Sequence, residues 1–289
     1  MTDTTQNHLY DLKNALERLD IHDHLCLIYD NREEQFAAVM PFIRIGLERG
    51  EKCIYAADDN TAEMVMTGMQ AVGIGVEAAL ASGQLAIVSK RESYLREGFF
   101  DPDHMIDFLQ QAADEADKTG FSALRVTGEM TWMLGGDPGV QRLMEYEAKL
   151  NYFFPANRAL AICQYARRRF SPEVIKDVIA THPLVIHGGM VCKNFYYVPP
   201  DHFLGEDQPT REVERLLANI RERAAVDNEL KQHQQGLEAM VAALKERTDE
   251  LEQRNRELEL MNRSFVNREL KMVALKERIK TLERNKKME

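Results

Sequence analysis

Apolar residues follow two different patterns along this chain. In the N-terminal two thirds they gather into short continuous runs: Leu25 to Tyr29, Cys53 to Ala57, Leu85 to Val88, Leu124 to Thr127, Ala159 to Tyr165 and Leu184 to His187. Runs without polar alternation mark strands covered on both faces, and helix signals of suitable length sit between most of them. The pattern predicts an α/β fold with a mostly parallel sheet flanked by helices. In the last quarter, single apolar residues recur every seven positions at Leu230, Leu237, Leu244, Leu251, Leu258, Phe265, Met272 and Ile279. Such a ladder keeps one stripe on one helix face, and that stripe must meet another helix to leave water. A long C-terminal coiled-coil helix is expected, its ladder on the order of 75 Å long.

Polar punctuation places the helices. Asn31-Arg-Glu-Glu34 reads as a capping box that opens a helix running to Leu47, with Gly50 as its stop. Asp101-Pro-Asp opens a second that ends at Gly120, Asp137-Pro138 a third, and Ser171-Pro172-Glu a fourth that ends before Pro183. Val185 to Cys192 reads as two short strands turning at Gly188-Gly189, a hairpin at one sheet edge. The expected organisation is an N-terminal helix over 1–17, an α/β domain over 18–200, a linker over 201–209 and a parallel dimeric coiled coil over 210–289.

With the ladder at position d, position a holds Gln234, Val241, Thr248, Asn255, Asn262, Glu269 and Lys276, a mostly polar layer. Asn255 and Asn262 favour a parallel two-stranded register, because each can hydrogen-bond its symmetry mate. Arg247 and Arg254 stand five residues before Glu252 and Glu259, the spacing of interchain pairs in a parallel dimer. The expected assembly is a homodimer, and both a static stalk and a signal-carrying helix are compatible with it.

Composition narrows the function classes. The 289 residues hold one globular domain of about 200 residues plus the helix. From Gln208 onward there are 18 basic and 16 acidic residues, against 19 and 31 before it, so the globular part carries a net charge of −12. That acidity argues against a phosphate-backbone partner, since nucleic-acid affinity rests on a basic face. The start, MTDTTQNHLYDLKNALERLD, has no basic cap before an apolar core, and no stretch reaches membrane-spanning length. A cytoplasmic location with neither membrane nor nucleic acid as partner is expected. Cys26, Cys53, Cys163 and Cys192 lie in separate segments without a CxxC pair, as reduced buried thiols do, and neither a metal site nor a cofactor is expected.

Candidate chemistry belongs at the carboxyl ends of the strands, where loops meet helix N-termini. No G-x-x-x-x-G-K-[ST] motif exists in the chain, and after the first run Asp30, Glu33 and Glu34 would repel a polyphosphate. Glu129 and Trp132, the single tryptophan, follow the fourth run; Glu129 is either a functional acid or a cap for neighbouring loops, and Trp132 a pocket wall. Arg167, Arg168 and Arg169 follow the fifth run, as an anion site or as partners of surface carboxylates. His22 and His24 flank the start of the first run and His187 precedes the Gly-Gly turn; an H-x-H pair is a weak metal signal beside the ordinary hydrogen-bonded histidine. The candidate ligand-binding set is His24, Tyr29, Glu129, Trp132, Tyr165, Arg167 and His187. No nucleophile elbow or dinucleotide fingerprint is present, so no catalytic residue is assigned and a non-enzyme is expected.

His24-Leu-Cys-Leu-Ile-Tyr29, Gly50-Glu-Lys-Cys-Ile-Tyr55, Gly128-Glu-Met-Thr-Trp132, Cys163-Gln-Tyr165 and Thr181-His-Pro183, in that order and spacing, resemble the MEDS domain, the methanogen/methylotroph DcmR sensory domain. The resemblance covers about residues 18 to 200. It implies a RecA/KaiC-like fold lacking a working P-loop, and an input module of signalling proteins thought to sense small molecules such as hydrocarbon derivatives. Met261-Asn-Arg-Ser-Phe-Val-Asn-Arg-Glu-Leu-Lys-Met272 is similar to the helix preceding the dimerisation domain of sensor histidine kinases, as in two-component systems. No histidine follows His233 and no ATP-binding kinase domain follows the helix, so autophosphorylation by that route is not expected. The expected role is a dimeric sensor that binds a small molecule at the strand ends and passes its state to the coil, with a downstream kinase or regulator as partner. Two alternatives stand beside it: a pseudo-enzyme scaffold for protein contacts in a kinase or anti-sigma network, and a divergent ATPase or phosphotransferase using Glu129 as base.

Overall fold

The computed structural model describes residues 12–205 and 208–286. It opens on helix α1 over 12–17, so the expected N-terminal helix lies largely outside the described residues. There follow β1 (His24–Tyr29), α2 (Arg32–Glu48), β2 (Lys52–Ala57), α3 (Ala62–Ala71), α4 (Val76–Ala81), β3 (Leu85–Ser89), α5 (Pro102–Lys118) and β4 (Leu124–Glu129). After two 3₁₀ turns come α6 (Leu143–Ala156), β5 (Ala159–Ala166), α7 (Pro172–Thr181), β6 (Leu184–His187), β7 (Met190–Lys193), α8 (Pro200–Phe203) and α9 (Gln208–Lys286).

The seven strands form one sheet in the order β3-β2-β4-β5-β1-β6-β7, parallel throughout except where β7 returns along β6. The turn between those two uses Gly188 and Gly189, both at positive φ, as a tight hairpin of matching twist requires. β1, β4 and β5 are buried along their whole length because helices cover both sheet faces. One face carries Cys26, Ile54, Val126 and Cys163 under α5, α6 and α7; the other carries Leu25, Cys53, Tyr55 and Ile162 under α1 to α4.

Helix starts follow local chemistry. The Asn31 side chain accepts from the Glu34 amide at 2.9 Å, while the Glu34 carboxylate accepts from the Asp30 amide at 2.9 Å, one residue earlier than in the simplest capping box. Asp101 and Ser171 cap α5 and α7, each with Pro at the first helical position. Asp137-Pro138 does not open α6, contrary to the sequence expectation. Gly139 adopts φ +89°, and a Cβ there would stand 1.9 Å from the Phe100 carbonyl oxygen, while the Phe100 amide donates to the Pro138 carbonyl at 2.8 Å. That docking holds the segment against the loop before α5, so the helix starts only at Leu143.

The chain divides into two compact units between Glu222 and Arg223. α9 is a single helix of 79 residues, and its ladder side chains, Leu230 through Ile279, are 51 to 67 % exposed. Within this one chain Arg247 pairs with Glu250 at 2.8 Å. No helix among the described residues is long and apolar enough to cross a membrane.

Candidate functional site

At the carboxyl ends of the strands, the loops are tied to one another by charge. Glu129, at the end of β4, is fully buried; its Oε1 accepts from Tyr55 Oη at 2.6 Å and Asn60 Nδ2 at 2.7 Å, and its Oε2 from the Asn60 and Asp58 amides at 2.9 and 3.1 Å. Four donors leave this carboxylate saturated, and it fixes the loop between β2 and α3. Asn60 continues to Gln35 (3.0 Å), Gln35 to Gln164 (2.7 Å) and Gln164 to Thr127 (2.8 Å), a buried polar chain across three strands and α2. At the rim, Arg167 grips Asp30 at 2.6 and 2.9 Å, Arg169 pairs with Asp59, and Lys90 meets Asp58 at 2.9 Å. The Arg167 hydrogen bonds hold the Asp30 carboxyl below its usual range. The arginine row therefore serves carboxylates of this chain.

The second constellation lies on the opposite sheet face. Strand alternation sends His24 of β1 and Cys163 and Tyr165 of β5 toward α6 and α7, which contribute Glu147 and, just past α7, His182. Glu147 Oε2 stands 3.3 Å from His24 Nε2, 3.3 Å from His182 Nε2 and 3.4 Å from Cys163 Sγ, while Tyr165 Oη donates to Oε1 at 2.5 Å. None of the four donor residues around the Glu147 carboxylate exceeds a few per cent exposure. Burial, then the Glu147 charge, pushes the Cys163 thiol well up, and burial lowers the His24 imidazole. Two imidazoles, a thiol and a carboxylate converging in this way are a donor set able to hold a metal ion.

Beside it lies an aromatic stack. Tyr94, from the loop between β3 and α5, stacks on Trp132 with ring centroids 4.8 Å apart; Phe100 leans on Trp132 at 4.8 Å and meets Tyr146 edge-on at 5.7 Å. Gly128 in β4 makes room for this loop, since a Cβ there would stand 2.0 Å from Tyr94 Oη. The buried Trp132 indole N–H has no hydrogen-bond partner among the described residues. On its outer side Tyr94 forms one wall of a cleft of about 420 Å³, lined mainly by polar and charged groups such as Arg96, Glu97 and Asp107, with Phe99, Met105 and Phe108 as its apolar part.

The seven candidate residues do not meet in one place. His24 and Tyr165 converge on Glu147; Trp132 sits in the aromatic stack on the same face; Glu129 lies across the sheet with Tyr29 buried on its side; Arg167 is at the rim. His187 faces the Ile28 carbonyl through Nδ1 at 3.0 Å. Sequence reasoning passed over Glu147, His182 and the place of Cys163. Glu147 was legible as a carboxylate in register with Leu143, Leu150 and Phe154 on the apolar stripe of α6, where a charge needs partners. His182 stood in the Thr181-His-Pro183 segment that carries the family resemblance, but no site role was assigned to it.

Comparison with known proteins places these residues in a described family. The sequence model of MEDS, the MEthanogen/methylotroph, DcmR Sensory domain, matches residues 23–183. The transcriptional repressor DcmR of Methylorubrum extorquens is 28 % identical over 176 residues, covering 59 % of this chain and 62 % of that protein. This chain thus spans under two thirds of that curated relative's length. Among solved structures it is similar to a KaiC-like protein of Pyrococcus horikoshii (16 % identity, 57 % of this chain and 69 % of that one, TM-score 0.41). It is likewise similar to the flagellar accessory protein FlaH of Methanocaldococcus jannaschii (11 % identity, 60 % and 76 %, TM-score 0.44).

Proposed function

This chain belongs to the MEDS family, and from that premise we propose that it is a sensory input module, binding a small molecule in the cleft beside Tyr94 and relaying its state through a dimeric coiled coil. The observation that carries the reading is an aromatic contact joining an outer cleft to the interior: Tyr94 is both cleft wall and stacking partner of buried Trp132. A ligand that displaces Tyr94 changes the packing of Trp132, and with it that of Phe100 and α6. Phe99, Met105 and Phe108 give the cleft a short apolar wall, while Arg96, Glu97, His104 and Asp107 make most of its lining polar, which suits a small polar molecule with a limited apolar part. Phosphate binding has no support in the geometry, because Asp30 and Glu34 occupy the turn into α2 and Arg167 and Arg169 are committed to Asp30 and Asp59.

Trp132 is the only tryptophan, so its emission reports this site alone. Titration with short alcohols, halides and amines is expected to shift that emission and raise the melting temperature for at least one class, with ATP inert. A rise in melting temperature with ATP, alongside silence for every small organic probe, would overturn the reading. A pseudo-enzyme scaffold is the second reading, favoured by the row of exposed leucines on α9; it is distinguished by a dimer that answers no small molecule.

A further inference from the structure

The cluster around Glu147 is built more like a coordination sphere than a hydrogen-bond network. Charge-assisted N–H···O bonds are about 2.7–2.9 Å long, yet both imidazole Nε2 atoms stand 3.3 Å from the carboxylate oxygen. Four donors set on a tetrahedron at about 2.0–2.3 Å from a central ion stand roughly 3.3–3.8 Å from one another. The observed edges are 3.3, 3.3, 3.4 and, from Cys163 Sγ to His24 Nε2, 3.6 Å, with all four donor atoms within 4.8 Å.

The surrounding hydrogen bonds set the tautomers. Asn151 spends its amide N–H groups on the Glu147, Ala148 and Thr181 carbonyls, so its Oδ1 faces His24 Nδ1, at 3.1 Å, as an acceptor. His182 Nδ1 faces the Val178 carbonyl at 2.7 Å. Each ring therefore carries its proton on Nδ1 and turns an Nε2 lone pair inward, the arrangement by which outer partners orient metal-binding histidines. Two lone pairs aimed at a carboxylate in a dry interior need a positive charge between them. His182 Nε2, fully buried, has no hydrogen-bond partner among the described residues. Tyr165 occupies Glu147 Oε1 and leaves Oε2 for the centre.

We propose that His24, Glu147, Cys163 and His182 form a tetrahedral site for a divalent transition cation of the zinc class. The Cys163 proton leaves to solvent on binding, and thiolate plus carboxylate then offset the two positive charges, so the buried site is neutral. Imidazole, thiolate and carboxylate together suit zinc, cobalt or ferrous iron and disfavour magnesium or calcium. Four protein ligands close the coordination shell, which makes the ion a cross-link between β1, β5, α6 and the end of α7. The inference does not depend on the cleft beside Tyr94 having a ligand.

The test uses the full chain, unfolded with chelator and refolded with Co²⁺ as an optical probe. One Co²⁺ per chain is expected, with the intense visible bands of a tetrahedral ion and a near-ultraviolet thiolate charge-transfer band, both removed by excess Zn²⁺. Cys163→Ser should abolish the charge-transfer band, whereas Cys192→Ser, at the exposed cysteine, should keep it. Tyr165→Phe should weaken Co²⁺ affinity about 10-fold, as loss of an outer partner does. A wild-type chain that refolds to the same melting temperature without taking up Co²⁺, or a charge-transfer band that survives Cys163→Ser, would refute the site. The first outcome is read on wild type, so a variant that fails to fold does not shelter the idea.

Discussion

Arg125 is the clearest case of one residue whose environment dictates its partners. It projects from β4 under α2, where Gly46 offers no Cβ; one built there would meet the Arg125 side chain at 2.5 Å. Its guanidinium is fully buried, lies 4.3 Å over the Phe42 ring, and is held by Glu51 at 2.5 and 3.2 Å. Removing one partner of a buried ion pair strands the other charge, which costs about 3–5 kcal/mol, while replacing both with apolar groups is often neutral. Glu51→Ala is therefore expected to be strongly destabilising in urea melts, and Glu51→Leu with Arg125→Met much less so. A Glu51→Ala cost below about 1 kcal/mol would show that the guanidinium finds water. At this scale the sequence was only half legible. Arg125 sat inside an apolar run that announced its burial, but nothing local announced Glu51, which arrives through strand pairing. Glu129 likewise read equally as functional acid or loop cap until its four donors settled the geometry.

Elements were the most legible scale, because strand and helix signals are local. Each of the six apolar runs is a strand, and the Asn31, Asp101 and Ser171 caps start helices where their side chains can accept amides. Asp137-Pro138 failed because a long-range contact with Phe100 outweighed a local cap signal. The start of α6 is instead anchored by Arg142, which pairs with Asp101 at 2.6 Å and Glu145 at 2.8 Å, while Lys149 reaches Glu145 and Asp103. Arg142 hydrogen bonds pull the Glu145 carboxyl down to about 2 from an ordinary value of 4.5. A carboxyl depressed in the folded state stabilises fully above its unfolded value, and loses that contribution as pH falls from about 4.5 toward 2. Acid titration of melting temperature should thus show a shallow decline in this window, flattened by Arg142→Met. Identical slopes for wild type and variant would mean that solvent screening cancels the pair.

For the whole molecule, the heptad ladder predicts what the single chain lacks. Parallel pairing through α9 is expected to give a dimer in sedimentation equilibrium, and Leu251→Lys with Leu258→Lys to give a monomer that keeps the native Trp132 emission. A monomeric wild type at micromolar concentration would remove the relay from the proposed function. The candidate site was least legible at this scale, because strand period two sends neighbours to opposite faces and only topology decides which residues from distant segments share one. His24 and Tyr29 come from the same strand and face different layers. The sheet is consequently a partition wall, with the Glu129 chain in one compartment and the Glu147 cluster in the other. Lesions on either side should combine as independent events: Glu129→Gln and Glu147→Gln are expected to sum within about 0.5 kcal/mol. A larger interaction energy would reveal mechanical crosstalk through the strands. With additivity, either compartment is open to redesign while its neighbour keeps its original chemistry.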